Sequence, residues 1–218
     1  MVIKNAGEVK VSVPVVPARS QLIAPGRTKE DWHNFAERLV PGGDGGPWAE
    51  AFEGFLLARL QSRYITPIAA VRDALKWNGE GFAIVSIQCA LIEFLAALRE
   101  GKRFRYENPK PPHEYRNSRD LFCDFLRRTA PFASMFTKAQ AWDFYGNVRC
   151  GLLHEARTKG EWIVWASGSP AVDCQRKIVY RDSFQELIES YIRDYGRALV
   201  GNALLQEAFL RKFNDLAD

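Results

Sequence analysis

Residues 81–99, GFAIVSIQCALIEFLAALR, decide the fold because they are apolar on almost every side of a helix. A surface helix has one apolar stripe, whereas a helix that is apolar all round belongs in the interior of a bundle. This stretch therefore predicts a central buried helix around which the rest of the chain packs.

Six further segments have apolar residues at the three- and four-residue spacing of helices. They lie at residues 48–64, at 67–75, near 118–128, at 138–156, from a cap at Asp182 or Ser183 onward, and from a break at Gly201-Asn202 to about Leu216. Caps and breaks of this kind mark helix ends. The pattern predicts a mainly α-helical bundle.

Three stretches interrupt the helical pattern. Residues 1–30 combine alternating valines with prolines, which predicts an extended N-terminal arm. The sequence PGGDGGP at 41–47 predicts a flexible connection. The runs EWIVWA (161–166) and QRKIVY (175–180) flank a turn-rich stretch and predict one small antiparallel β-hairpin. We therefore expect the arm, and then a single helical domain over residues 31–218 with a hairpin insertion at about 161–180.

The composition is that of a globular protein. The 218 residues are 47% hydrophobic and 26% charged, and the net charge of +4 permits an anionic partner without requiring one. No uninterrupted apolar run approaches the roughly 18–20 residues that span a bilayer, and the amino terminus lacks the apolar core of a secretory signal. We expect a cytoplasmic protein with no membrane partner.

Metal and cofactor chemistry are not indicated. The cysteines at positions 89, 123, 150 and 174 form no CxxC pair, and the histidines at 33, 113 and 154 are scattered. The chain also lacks a P-loop and a dinucleotide-binding fingerprint. We expect no metal, no cofactor and no disulfide framework.

Residues 142–156, WDFYGNVRCGLLHEA, contain Arg149 and, after four intervening residues, His154. This pair resembles the motif of the HEPN superfamily, in which an Arg is followed after four to six residues by a His. The resemblance covers about residues 48–156 and implies an all-α fold and a homodimer. Some members are metal-independent ribonucleases of stress and defence systems. One departure is Cys150, because many catalytic members have a polar Asn or Asp directly after the Arg.

The resemblance also implies roles for these residues in RNA cleavage. His154 would transfer the proton of the attacking ribose hydroxyl, and Arg149 would stabilise the charge on the phosphoryl oxygens. Glu155 would orient the imidazole or lie in solvent.

Helix geometry supports a different interpretation of the same pair. At about 100° per residue, Arg149 and His154 lie roughly 140° apart on an uninterrupted helix. His154 shares a small polar face with Asn147, whereas Arg149 projects from the apolar face. A lone Arg on an apolar face indicates a buried ion pair, and Glu93, in the apolar stretch 81–99, is the candidate partner. Asn147 would change this register if it capped a new helix. A non-catalytic helical interaction module is therefore the alternative to a ribonuclease.

A second candidate site interleaves cations with aromatic rings. It consists of Lys102, Arg103, Phe104, Arg105 and Tyr106. Residues 101–128 hold eight Lys and Arg against four Asp and Glu. Such interleaving is typical of surfaces that bind single-stranded nucleic acid, although a solvated loop with docked aromatics would show the same composition. The expected partners are RNA and a second copy of the chain.

Overall fold

The chain is mainly helical, as the sequence predicts. The structure, a computed structural model, describes residues 22–74 and 79–218. The helices are α1 (Lys29–Ala36), α2 (Gly45–Ala51), α3 (Ala58–Leu60), α4 (Thr66–Ala74), α5 (Glu80–Glu100), α6 (Ser118–Arg128), α7 (Lys138–Phe144), α8 (Cys150–Glu155), α9 (Arg181–Leu199) and α10 (Ala203–Ala217). π-helical turns join α2, α3 and α4 into one run over residues 45–74, and the π-helical turn Tyr145–Arg149 joins α7 to α8.

Helix α5 is the centre of the fold, which confirms the prediction for residues 81–99. Gly79 and Gly101 have left-handed backbone conformations at its two ends, where glycine avoids the steric cost of a Cβ. The helix packs against α4, α6, α9 and α10. Contrary to our expectation, α5 is long and apolar enough to cross a membrane by length and composition, but most of it is buried inside the bundle. Its composition is therefore explained by its place in the core.

The predicted arm over residues 1–30 lies mostly outside the described residues. From residue 22 onward, β1 (Leu22–Ala24) pairs antiparallel with β2 (Arg27–Thr28), and α1 follows directly. Thr28 and Asp31 cap α1 reciprocally: the Asp31 N–H donates to Thr28 Oγ1 at 3.1 Å, and the Thr28 N–H donates to Asp31 Oδ2 at 2.7 Å. Residues 22–28 therefore form a short two-stranded pair that leads directly into α1.

Other helix starts agree only in part with the sequence. Asp44 caps α2 by accepting from the Gly46 N–H at 3.2 Å, so the last residues of the predicted flexible connection form a helical turn. The last helix begins after Gly201-Asn202, where a break was expected, and Asn202 caps α10 by accepting from the Leu205 N–H at 3.1 Å. Helix α9 begins slightly before its expected caps and has no side-chain cap bond.

The β structure differs from the predicted hairpin. A parallel pair is formed by β3 (Arg103–Phe104) and β4 (Glu114–Tyr115). A three-stranded sheet has the order β5 (Ile163–Trp165), β7 (Ile178–Tyr180), β6 (Val172–Asp173). The two runs predicted to pair antiparallel, in β5 and β7, are parallel neighbours. The antiparallel partner of β7 is β6, which lies inside the predicted turn. Asp173 Oδ1 accepts from the N–H groups of Gln175 and Arg176 and thereby closes this shorter hairpin.

Candidate functional site

Arg149 lies at the end of the π-helical turn inside a continuous helical run over residues 138–155. Thr137 and Gln140 start the run, each side chain bonding the other residue's backbone N–H. The run continues through Asn147, so Asn147 is not the cap of a new helix. π-helical turns inside α-helices occur often at functional sites, and this one carries the candidate catalytic Arg.

Arg149 pairs with Glu93, as its place on the apolar face predicted. Arg149 Nη2 lies 2.9 Å from Glu93 Oε2, and the two side chains are 19% and 18% exposed. The guanidinium also lies over the ring of Tyr145, 5.3 Å from its centroid. The ion pair connects α5 to the helical run that carries the HEPN-like motif, so Arg149 has a structural partner within the chain.

Electrostatics keep Arg149 charged at this position. Burial lowers the pKa of Arg149, but the combined effects of Tyr145 and Glu93 outweigh it and raise the pKa above its ordinary value. The Tyr145 hydroxyl is held in turn by Ser118, with 2.9 Å between the two oxygens. The guanidinium is thus a permanent positive charge held between a carboxylate and an aromatic ring.

His154 is exposed in the last turn of α8. It does not line the cavity to which Arg149 belongs. Within the described residues, the two motif residues therefore do not share the cavity beside Arg149.

Asn147 and Glu155, predicted as supporting residues, have local structural contacts. Asn147 Nδ2 donates to Asp143 Oδ1 at 2.7 Å, and Trp162 Nε1 donates to Asp143 Oδ2 at 2.7 Å. The Asn147 carbonyl accepts from the Lys159 N–H at 2.8 Å. Glu155 is exposed and forms ion pairs with Arg157 and Lys159, which agrees with its alternative place in solvent. These contacts fix the loop that follows α8.

A glycine allows that loop to approach the helix. A Cβ on the buried Gly151 would lie 2.5 Å from the carbonyl oxygen of Arg157. The chain folds back over this position after Ala156, whose φ is 53°. The end of the motif helix is therefore shaped by close backbone packing.

The cavity beside Arg149 has a volume of about 320 Å³ and is lined by Glu93, Arg149, Tyr115 and Lys212 together with apolar residues of α5. Sequence analysis did not identify Tyr115 or Lys212. Lys212 lies between Phe209 and Phe213 on the apolar side of α10, and both of those rings are fully buried. The sequence feature that could have identified Lys212 is its place among apolar residues on one face of a helix, where a charged residue is unusual.

The basic segment at residues 102–106 is largely neutralised by acidic partners. Arg103 Nε lies 2.6 Å from Asp215 Oδ1, and Arg105 Nε lies 2.9 Å from Glu114 Oε1. Lys102 pairs with Glu100. Phe104 packs edge-on against Tyr115, with 5.6 Å between ring centroids. The cations of this segment are thus engaged, whereas Phe104 and Tyr106 remain exposed.

Other cations lie over the exposed rings of Tyr106 and Trp142. Tyr106 is 68% exposed, and the Arg116 guanidinium lies 5.0 Å from its ring centroid. Trp142 is 44% exposed, with Arg119 and Lys138 at 4.6 and 5.2 Å from its ring. Arg116 directly precedes Asn117, the N-cap of α6, and Arg119 lies in the first turn of that helix, so both cation–ring pairs include a residue at this helix start. We name these five residues the aromatic–cation surface.

The described residues contain no group of three or more His, Cys, Asp or Glu side chains that could hold a metal ion. Comparison of the chain with protein-family models, curated proteins and solved structures finds no match. The relationship to the HEPN superfamily therefore depends on the motif residues and stays a prediction.

Proposed function

We propose that this protein is a HEPN-like helical module that binds single-stranded RNA without cleaving it. The observation that carries the proposal is the aromatic–cation surface. Exposed rings with adjacent cations are the elements with which proteins stack bases and hold the phosphate backbone of single strands. The exposed ring surfaces of Tyr106 and Trp142 are unfavourable in water. Stacking against bases would remove these surfaces from water.

The non-catalytic part of the proposal rests on Arg149. Its guanidinium is engaged by Glu93, and His154 lies outside the same cavity. Cys150 also replaces the polar residue of many catalytic relatives. A metal-independent ribonuclease would need Arg149 and His154 beside one phosphate.

The proposed module is a homodimer, as the resemblance implies. Leu153, next to His154 on α8, is strongly exposed and apolar, which is a residue type suited to a self-complementary interface. Light scattering at micromolar concentration should give the mass of two chains, and a monomer would contradict this part of the proposal.

The test of RNA binding is fluorescence anisotropy with a labelled single-stranded RNA. Stacking contributes about 1–3 kcal/mol per base, so Trp142→Ala and Tyr106→Ala should each weaken binding about 5- to 150-fold. Trp165→Ala is the matched control, because Trp165 is 62% exposed on β5 and outside the surface. RNA binding that is absent, or equally reduced by Trp165→Ala, would refute the proposal.

The same RNA is incubated with the protein in EDTA to test for cleavage. We expect intact RNA with both the wild-type chain and His154→Ala. Cleavage by the wild-type chain that is lost in His154→Ala would overturn the non-catalytic part and establish the ribonuclease alternative.

A further inference from the structure

Lys212 is a buried cation with a distant counter-ion. It is only 7% exposed. The nearest carboxylate oxygen in the described part of the chain, Asp215 Oδ2, is 3.6 Å from its Nζ, which is longer than a direct hydrogen bond. Burying an ammonium group is unfavourable unless it is paired and hydrogen-bonded. Lys212 is therefore only partly compensated by the residues around it.

The surroundings of Lys212 have an excess of positive charge. Asp215 is closer to Arg103, at 2.6 Å through its other oxygen, so its charge is shared. Glu93 is engaged by Arg149. Burial lowers the pKa of Lys212, Asp215 opposes this effect, and the nearby cations Arg59 and Arg103 add to it. The Lys212 ammonium therefore attracts a further anion, because the neighbouring carboxylates neutralise its charge only in part.

The cavity gives such an anion access to Lys212. The polar residues that line its volume of about 320 Å³ are Lys212, Arg149, Tyr115 and Glu93. The first three offer ammonium, guanidinium and hydroxyl donors, and the Glu93 carboxylate is paired with Arg149. Phe94 and small side chains of α5 form an apolar side. The volume is at the lower end of the range for small-molecule sites, about 300–1,000 Å³.

We propose that this cavity binds a small phosphate monoester, with the Lys212 ammonium as the main contact to the phosphate. A phosphate monoester carries close to two negative charges at neutral pH and several acceptor oxygens, which matches the excess of cations and the three kinds of donor. The organic part of the ligand packs on Phe94. This site is separate from the aromatic–cation surface and does not depend on RNA binding.

The experiment is calorimetric titration of the full chain with AMP, with adenosine as the control that lacks only the phosphate. We expect AMP and inorganic phosphate to bind, and adenosine not to bind at comparable concentration. Lys212→Met keeps an extended side chain but removes the charge and should weaken AMP binding at least about tenfold. Lys110→Met, at an exposed lysine outside both the cavity and the aromatic–cation surface, should leave AMP binding unchanged.

A second variant keeps the proposal testable if Lys212→Met does not fold. Tyr115→Phe removes one hydroxyl and should weaken AMP binding about two- to tenfold. The proposal is overturned by equal affinity for adenosine and AMP, by no binding of AMP or phosphate up to about 10 mM, or by a folded Lys212→Met that binds AMP as tightly as the wild-type chain. None of these measurements contains RNA, so their failure is distinct from a failure of the proposed function.

Discussion

Replacing Arg149 with Met tests whether the motif Arg serves the fold. The substitution removes the charge that pairs with Glu93 and leaves a carboxylate that is only 18% exposed. Breaking a fully buried ion pair costs about 3–5 kcal/mol, whereas an exposed pair contributes about 0–1 kcal/mol. Because about a fifth of each side chain is exposed, we expect a loss of about 2–3 kcal/mol.

Thermal unfolding followed by circular dichroism measures this loss. For a domain of this size one kcal/mol changes Tm by about 2–4 °C, so Arg149→Met should lower Tm by roughly 4–12 °C. Arg193→Met is the control, because Arg193 is an exposed helical arginine whose loss should cost less than about 0.5 kcal/mol.

A double-mutant cycle separates the ion pair from lost packing. Glu93→Gln combined with Arg149→Met should cost less than the sum of the two single changes, with a coupling of at least about 1 kcal/mol. Additive single effects, or an Arg149→Met Tm equal to that of Arg193→Met, would refute the structural role. That outcome would favour an arginine kept for chemistry, whose removal leaves stability intact.

Two further predictions concern close packing and an unsatisfied hydroxyl. Gly151→Ala should destabilise the protein by about 1–3 kcal/mol, because the added Cβ would meet the Arg157 carbonyl. Gly146→Ala should stabilise it by about 0.5–1 kcal/mol, because a Cβ there would meet nothing within 4 Å. Urea unfolding of both variants measures these opposite changes in the free energy of unfolding. The Tyr195 hydroxyl is buried without a hydrogen-bond partner in residues 22–74 and 79–218, so Tyr195→Phe should raise the free energy of unfolding at pH 7 by about 1 kcal/mol. Burial also raises the pKa of Tyr195 well above its ordinary value of 10.0. As the pH rises past about 10, the unfolded chain loses this proton before the folded chain does, so the stability of the wild-type chain falls. Tyr195→Phe should therefore show a smaller fall in Tm over that pH range. A Tyr195→Phe variant that is no more stable than the wild-type chain, both at pH 7 and above about pH 10, would contradict this account.

Features that follow from periodicity were predictable from the sequence. The all-round apolarity of residues 81–99 identified α5 as the core helix. The ion pair was predictable for the same reason, because Glu93 and Arg149 are isolated charges on apolar helix faces and each needs a partner. Because an unpaired buried charge is unfavourable, a charged residue on an apolar helix face must lie beside a residue of opposite charge.

Features that depend on contacts between distant segments were not predictable. The parallel pairing of β5 and β7 is decided by how both strands pack on the bundle, and short β-rich runs carry no information on their partners. The cavity draws on α5, α10, β4 and the π-helical turn, and no local pattern places these together. Likewise, the sequence of residues 102–106 does not show that Asp215, near the other end of the chain, neutralises Arg103.

Asp143 has a consequence for the dynamics of the helix end that carries His154. Its carboxylate accepts from Asn147 within the helical run and from Trp162 just before β5, and Lys177 Nζ, just before β7, lies 3.9 Å away. Opening this helix end would separate it from the sheet as well, because the same carboxylate holds both. Amide hydrogens of residues 150–155 and of β5 and β7 should thus exchange with solvent as one cooperative unit, rather than at the fast rates of a fraying helix terminus.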